Sequence, residues 1–186
     1  MMAAGRAAER GRSVLLIEKN PTLGKKLDIT GGGRCNITNA EFDKHAFPKH
    51  FGTAQNFLYS PLSQFGVQQT FDFFTARGLP IKVQSRNRAF PESEHAPDVT
   101  AVLKKYMSDH GVTALLGTKV SSISSGADAV EVQTSKGAFH GSAVVVSTGG
   151  LSHPETGSTG DGLTWLRNLG HTIAPATPQI VPINAS

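Results

Sequence analysis

The chain holds a single cysteine, Cys35, in 186 residues. No disulfide can close within it, and a dithiol redox centre, which needs a second thiol, is excluded. Cys35 therefore reads as a small packed residue. No apolar run approaches the roughly 18 residues of a membrane helix, and the N-terminus lacks the apolar core of a signal peptide. A soluble protein without a membrane partner, in the reducing cytoplasm, is the expectation. The seven histidines are scattered without H-x-x-x-H spacing, so no metal site is expected. Eighteen Lys and Arg stand against fourteen Asp and Glu, interspersed and without a block of one sign. That balance gives a mild preference for anionic small molecules and argues against a nucleic-acid partner.

What the chain does have is a glycine-rich polar stretch, LDITGGGRCNITN, from Leu27 to Asn39. Three consecutive glycines cost much backbone entropy, so they mark a sharp bend or a close approach to a ligand. Arg34, Asn36, Thr38 and Asn39 place donors beside that bare backbone. Upstream, residues 1–10 are strong helix formers with small residues on one side, and Gly11 stops them. Ser13–Ile17 is a short apolar run of the kind a parallel strand covered on both faces shows, with Glu18 at its carboxyl end.

Helices are expected from about Ala54 to Phe65, broken at Pro61, from Val67 to Arg77 and from Pro97 to His110. Ile81–Val83 and Arg88–Phe90 look extended. Val112–Leu116 reads as a strand, followed by an antiparallel meander over Lys119–Ile123, Ala129–Thr134 and Ala138–His140. Ala143–Ser147 is again a continuous apolar strand, running into Thr148, Gly149 and Gly150. Asp161 is placed to cap a helix over Gly162–Leu169. In nucleotide-binding α/β sheets ligands sit at the carboxyl ends of strands, where both Glu18 and Thr148–Gly150 fall.

A dinucleotide-binding βαβ unit places a strand and a G-x-G-x-x-G turn before its first helix, and an acid about 20 residues after that fingerprint. Counted back from Glu18, the turn falls at or before Met1. Two readings stay open on spacing alone: a Rossmann-like domain whose first strand and phosphate turn are missing, or a complete domain that starts with this helix.

MMAAGRAAERG, VLLIEKNPTLGKKLDITGGGRCNITN, the RAFPES segment and STGGLSHPETGSTGDG resemble, in order and spacing, the FAD-binding domain of a bacterial NAD(P)/FAD-dependent oxidoreductase family. That family includes aminoacetone oxidase-like flavoproteins and 3-dehydro-bile-acid reductases. The resemblance implies an α/β Rossmann-like FAD-binding domain with a parallel sheet and an antiparallel meander, lacking its first strand and glycine-rich turn. It implies a partial FAD-binding domain over 1–176, the start of a truncated following domain over 177–186, and a chain inactive by itself.

The resemblance also implies roles. Glu18 would accept from ribose hydroxyls, and its charge would repel a 2′-phosphate, which favours FAD over NADP as the bound dinucleotide. Lys19 would lie on the adenine side; Gly24, Lys25 and Lys26 would pass the phosphates and ribityl chain. Gly31, Gly32 and Gly33 would approach the flavin, with Arg34 and Asn36 as polar contacts. Val120 would meet adenine through its main chain, and Thr148, Gly149 and Gly150 would form a further turn against FAD. From their places in the chain, His153 near the Thr148 turn and then His171 after the helix are the candidates for proton transfer. The expected function is FAD-dependent oxidation of a small amine or alcohol, or reduction of an activated double bond, with NAD(P)H as a candidate electron donor. A flavoprotein of RNA modification and a non-redox nucleotide-binding domain are the alternatives.

Overall fold

Helix and strand signals in the sequence become five helices and eight strands in the computed structural model, which describes residues 1–175. The segment 177–186, expected to open a following domain, lies outside the described residues. Two compact units emerge: Met1–Leu16 with Leu23–Thr113, and Ile17–Thr22 with the chain from Ala114 onward.

In the first unit, α1 (Met2–Glu9) lies along α4 (Ala96–Asp109), and bare Gly5 sits under the Tyr106 ring. Any side chain at Gly5 would strike that ring. The α4 sequence buries Ala96, Val99, Thr100, Leu103, Tyr106 and Met107, the three-and-four spacing of a helix with one apolar stripe. Around that stripe gather Phe73 and Phe74 from α3 (Val67–Thr75), together with Cys35 and Leu79. The Arg77 guanidinium covers the edge, 4.0 Å from the Phe73 ring centre and 4.6 Å from that of Tyr106. Helix α2 (Gln55–Gln64) runs through Pro61 without the expected break. Proline removes one N–H donor there, and this exposed helix continues, with Phe65 N donating to the Pro61 carbonyl at 2.9 Å.

Two short sheets belong to this part of the sequence. Strands β3 (Ile81–Gln84) and β4 (Arg88–Pro91) form an antiparallel hairpin, and β2 (Thr38–Asn39) pairs antiparallel to the other edge of β4. Strands β1 (Leu15–Ile17) and β5 (Thr113–Leu115) run parallel, with Thr113 N donating to the Val14 carbonyl and Glu18 N to that of Leu115. The division between the units falls inside both strands.

In the second unit, β6 (Val120–Ser125), β7 (Val130–Thr134) and β8 (Gly137–Gly141) make the expected antiparallel meander. The expected strand over Ala143–Ser147 carries no ladder, and Val144 and Val145 are exposed. An apolar run becomes a strand only where a neighbour takes its hydrogen bonds, and none of the described strands lies beside this one. Helix α5 (Asp161–Asn168) starts one residue earlier than expected. Gly160 occupies the cap position, so Asp161 stands in the first turn and does not cap it.

Candidate cofactor-binding site

The second unit builds its site from the turn that follows β1. Glu18 is half-buried, and its Oε1 accepts from the Asn20 backbone N–H at 2.8 Å and from Asn20 Nδ2 at 2.9 Å. Its Oε2 makes no hydrogen bond among the described residues. The Glu18 carbonyl accepts from Thr118 N and that of Asn20 from Gly117 N, both at 2.9 Å, so the strand-end turn is clamped from two sides. Asn20 Nδ2 also donates to the Thr156 carbonyl at 3.0 Å. A side chain at Gly157 would meet Asn20 Nδ2 at 2.8 Å and Lys19 Cε at 3.1 Å, so this loop closes on the turn only because glycine stands there.

Lys19 Nζ donates to Thr159 Oγ1 at 2.6 Å and pairs with Asp161 at 2.8 Å. The Lys19 ammonium holds the Asp161 carboxyl below the ordinary aspartate range. These groups, with Lys119, Pro154 and Glu155, line an open cavity of about 470 Å³. Its walls carry both signs of charge and backbone polar groups, a setting for a polar ligand. Val120 opens β6 opposite Thr134, just before a bulge. Thr148 and Val146 pack against buried Gly162, and a side chain at Gly149 would meet Ser158 Oγ at 3.0 Å, whereas Gly150 faces open space. His153 is exposed, in left-handed conformation, with Nδ1 2.9 Å from Glu155 Oε1. A carboxylate only accepts, so Nδ1 donates to Glu155.

The remaining sequence candidates lie in the first unit. Lys25 is exposed and Lys26 half-buried, leading into the 3₁₀ turns of Leu27–Gly32. Gly24 has a packing reason to be glycine: a side chain there would collide with Thr100, which instead donates to Asp28 at 2.5 Å. Gly31, Gly32 and Gly33 are all left-handed, at φ 58°, 69° and 84°. At Gly32 and Gly33 an added side chain would meet nothing, so two bare α-carbons in a row front open space. Arg34 bends back to its own loop, Nε donating to the Gly31 carbonyl at 3.2 Å, and stacks 4.5 Å from the centre of the Phe90 ring. The Asn36 amide nitrogen donates to the Thr38 and Ala89 carbonyls at 3.1 and 3.3 Å. Burial pushes the Cys35 thiol up from its ordinary value, as suits a packed residue.

The model of the HI0933-like protein Rossmann domain matches residues 1–183. The chain belongs to that family. It is 29% identical over 170 residues to the 3-dehydro-bile acid delta(4,6)-reductase of Clostridium scindens, covering 91% of this chain and 41% of the relative. To the ribosomal RNA dihydrouridine synthase of Haemophilus influenzae it is 26% identical over 188 residues, 98% of this chain and 45% of the relative. The chain thus spans less than half the length of these curated relatives. Among solved structures, the L-amino acid deaminase of Proteus myxofaciens in complex with anthranilate matches with a TM-score of 0.50 at 20% identity, over 92% of this chain and 46% of that one. That likeness shows the fold, a Rossmann-like α/β domain. The HI0933-like family is one of flavoprotein oxidoreductases.

Sequence reasoning missed Asn20 and Thr118, which with Gly157 fix the turn around Glu18. The Asn-Pro pair at Asn20 and Pro21 is a turn signal that could have found the first. No helix among the described residues is long and apolar enough to cross a membrane.

Proposed function

We propose that the chain is part of an FAD-dependent reductase that saturates an activated carbon–carbon double bond, with NAD(P)H as electron donor. The observation that carries the reading is the Glu18 turn. A carboxylate at a strand end keeps one oxygen uncommitted while Asn20 holds the other, which suits acceptance from a ribose hydroxyl. The open backbone of Gly32 and Gly33 independently suits close approach by a flat ligand. When bound, FAD supplies the hydride or electron pair, chemistry that no side chain here provides. Glu18 would hold the ribose, and its charge would disfavour a 2′-phosphate. The Asn20, Thr118 and Gly117 contacts would keep the carboxylate in place. His153, oriented by Glu155, would carry the proton at Nε2.

The choice of reaction draws on the relatives. A delta(4,6)-reductase and a dihydrouridine synthase both concern an electron-poor double bond that becomes saturated, in a steroid or in a pyrimidine. A small organic substrate is the main reading; a uridine in RNA is the second, supported by a relative matched over 98% of this chain.

The test is flavin stoichiometry, by visible absorbance and chromatography of released cofactor, for the whole protein of which this chain is part and for its Glu18→Ala variant. Glu18→Ala should weaken FAD binding by about 1–3 kcal/mol, the cost of leaving hydroxyls without a charged acceptor. Equal FAD affinity in the two proteins, or preference of the wild type for a 2′-phosphorylated dinucleotide, would overturn it.

A further inference from the structure

We propose that the β2–β4–β3 sheet, together with Arg34, is an anion-recognition surface that takes a carboxylate or phosphate group of the substrate. The inference rests on the reductase reading for its substrate, though its geometry lies wholly within the first unit. The antiparallel register sets Gln84 opposite Arg88 and Lys82 opposite Phe90, so these four side chains share one face, and Asn39 joins them opposite Arg88. Arg34 reaches over the same ring: its guanidinium carbon is 4.5 Å from the Phe90 centre and that of Arg88 is 5.8 Å. Phe90 itself is 1% exposed, a fixed floor beneath two cations.

Those cations are short of counter-charge. Glu94 is the acid on this face, and it is taken up by Lys82 at 2.8 Å and by the Gln84 amide at 2.6 Å. That pairing with Lys82 holds its carboxyl below the ordinary glutamate range. Arg34 shares the same acid, its guanidinium 3.9 Å from the Glu94 carboxylate and donating to Gln84 Oε1 at 3.4 Å, so one carboxylate serves two cations while Arg86 and Arg88 have none among the described residues. Arg88 donates only to neutral oxygens, the Ser85 carbonyl at 3.1 Å and Ser85 Oγ at 3.3 Å. Arg86, at the hairpin tip, is exposed and makes no hydrogen bond or ion pair among the described residues. Glu92 sits at the opposite end of β4, its backbone N–H on the Pro80 carbonyl.

Like charges gathered on one ring repel unless an anion joins them. Guanidinium forks, planar and always charged, match the two oxygens of a carboxylate or phosphate. The hairpin tip that carries Arg86 also has a defined shape. Arg86 and Asn87 are left-handed at φ 63° and 54°, and the Asn87 carbonyl accepts from Ala40 N at 2.6 Å.

The experiment is calorimetric titration of the full chain with two probes, cholate and a single-stranded decauridylate. A cholanol of the same skeleton, without the carboxylate, is the uncharged control. At least one anionic probe should bind, and Arg86→Ala/Arg88→Ala should weaken it about tenfold or more. The uncharged steroid should show no such difference. Binding of cholate alone identifies a carboxylate source, of decauridylate alone a phosphate source, and of both a shared anion site. Arg86→Glu serves as the second variant, because Arg86 has no internal partner to lose, and it should weaken binding with an unchanged melting curve. No binding of either probe, or affinities within twofold of wild type in both variants, would overturn the proposal. Flavin content is read on the whole protein of which this chain is part: its absence there strikes the reductase reading, whereas unaltered anion binding in the variants strikes this one alone.

Discussion

The first unit buries Phe73, Phe74, Leu79, Val99, Leu103 and Tyr106 around one apolar stripe, whereas the second buries Thr118, Thr156 and Ser158 and, among its described apolar side chains, Ile123. The first is therefore stabilised by area removed from water, a diffuse force that tolerates small displacements. The second depends on directional contacts: Thr156 Oγ1 donates to the His153 carbonyl at 2.6 Å, Thr118 Oγ1 to that of Leu116 at 3.0 Å, and Asn20 ties three segments together. Such contacts fix positions sharply and fail abruptly when one partner goes. A turn that must present a carboxylate at a set point gains from the second kind of stabilisation.

The same contrast appears in the glycines. At Gly157 and Gly162 the missing side chain is replaced by protein, while at Gly32 and Gly33 it is replaced by nothing. The former have a packing reason to be glycine, and the latter front open space.

The largest expected effect tests the apolar half of this comparison. Phe73→Ala opens a cavity beneath Phe74, Tyr106 and Arg77 and should cost about 3–5 kcal/mol, read as a lowered urea midpoint. A loss below about 1 kcal/mol would mean that the first unit is not built on this core. Next, Gly162→Val drives a branched side chain into Thr148 and Val146, and overpacking of about 1–3 kcal/mol should appear as a fall in melting temperature. An unshifted melt would show that the loop yields and that its glycine is not a packing requirement.

Gly32→Val has room for its side chain but not the favoured backbone. It should cost about 1–2 kcal/mol through left-handed strain, leave the circular dichroism spectrum unchanged, and lower bound flavin. Full flavin retention would remove the loop from the site. The smallest effect belongs to Lys19→Met. The folded-state value of Asp161 lies below its ordinary one, so the Lys19–Asp161 pair stabilises above the ordinary aspartate range, and that contribution fades as pH falls through the folded value. For a pair this accessible the loss at neutral pH should be under about 1 kcal/mol, and it should disappear in acid. A deficit that persists at low pH would assign the effect to the lysine's packing instead.

Much of the fold was legible because its signals are local. The small residues of α1, the apolar spacing of α4 and the glycine-punctuated alternation over 119–141 each specify an element from within a dozen residues. Elements that depend on distant partners were not. Strand β2 is two residues long and exists only because β4 passes beside it, so nothing in Thr38–Asn39 alone marks it. Ala143–Ser147 has the composition of a strand and no ladder. At the site, Glu18 was legible from its place after an apolar run, and the glycine triplet from its backbone cost. The Lys19–Asp161 pair was not, since 142 positions separate two residues that were expected on the adenine side of a cofactor and at a helix cap.

The stretch from Ala143 to Thr148 makes no backbone hydrogen bond among the described residues, whereas β7 is bonded on both edges. Its amide protons should exchange with deuterium almost as fast as in a free peptide, against slow exchange at Val132 in the centre of the meander. That disparity makes the segment a built-in reporter. Anything that docks beside it in register, whatever its source, would announce itself as new protection at Val144 and Val146 or at Val145 and Ser147, and the alternate set that slows would reveal which edge had been taken.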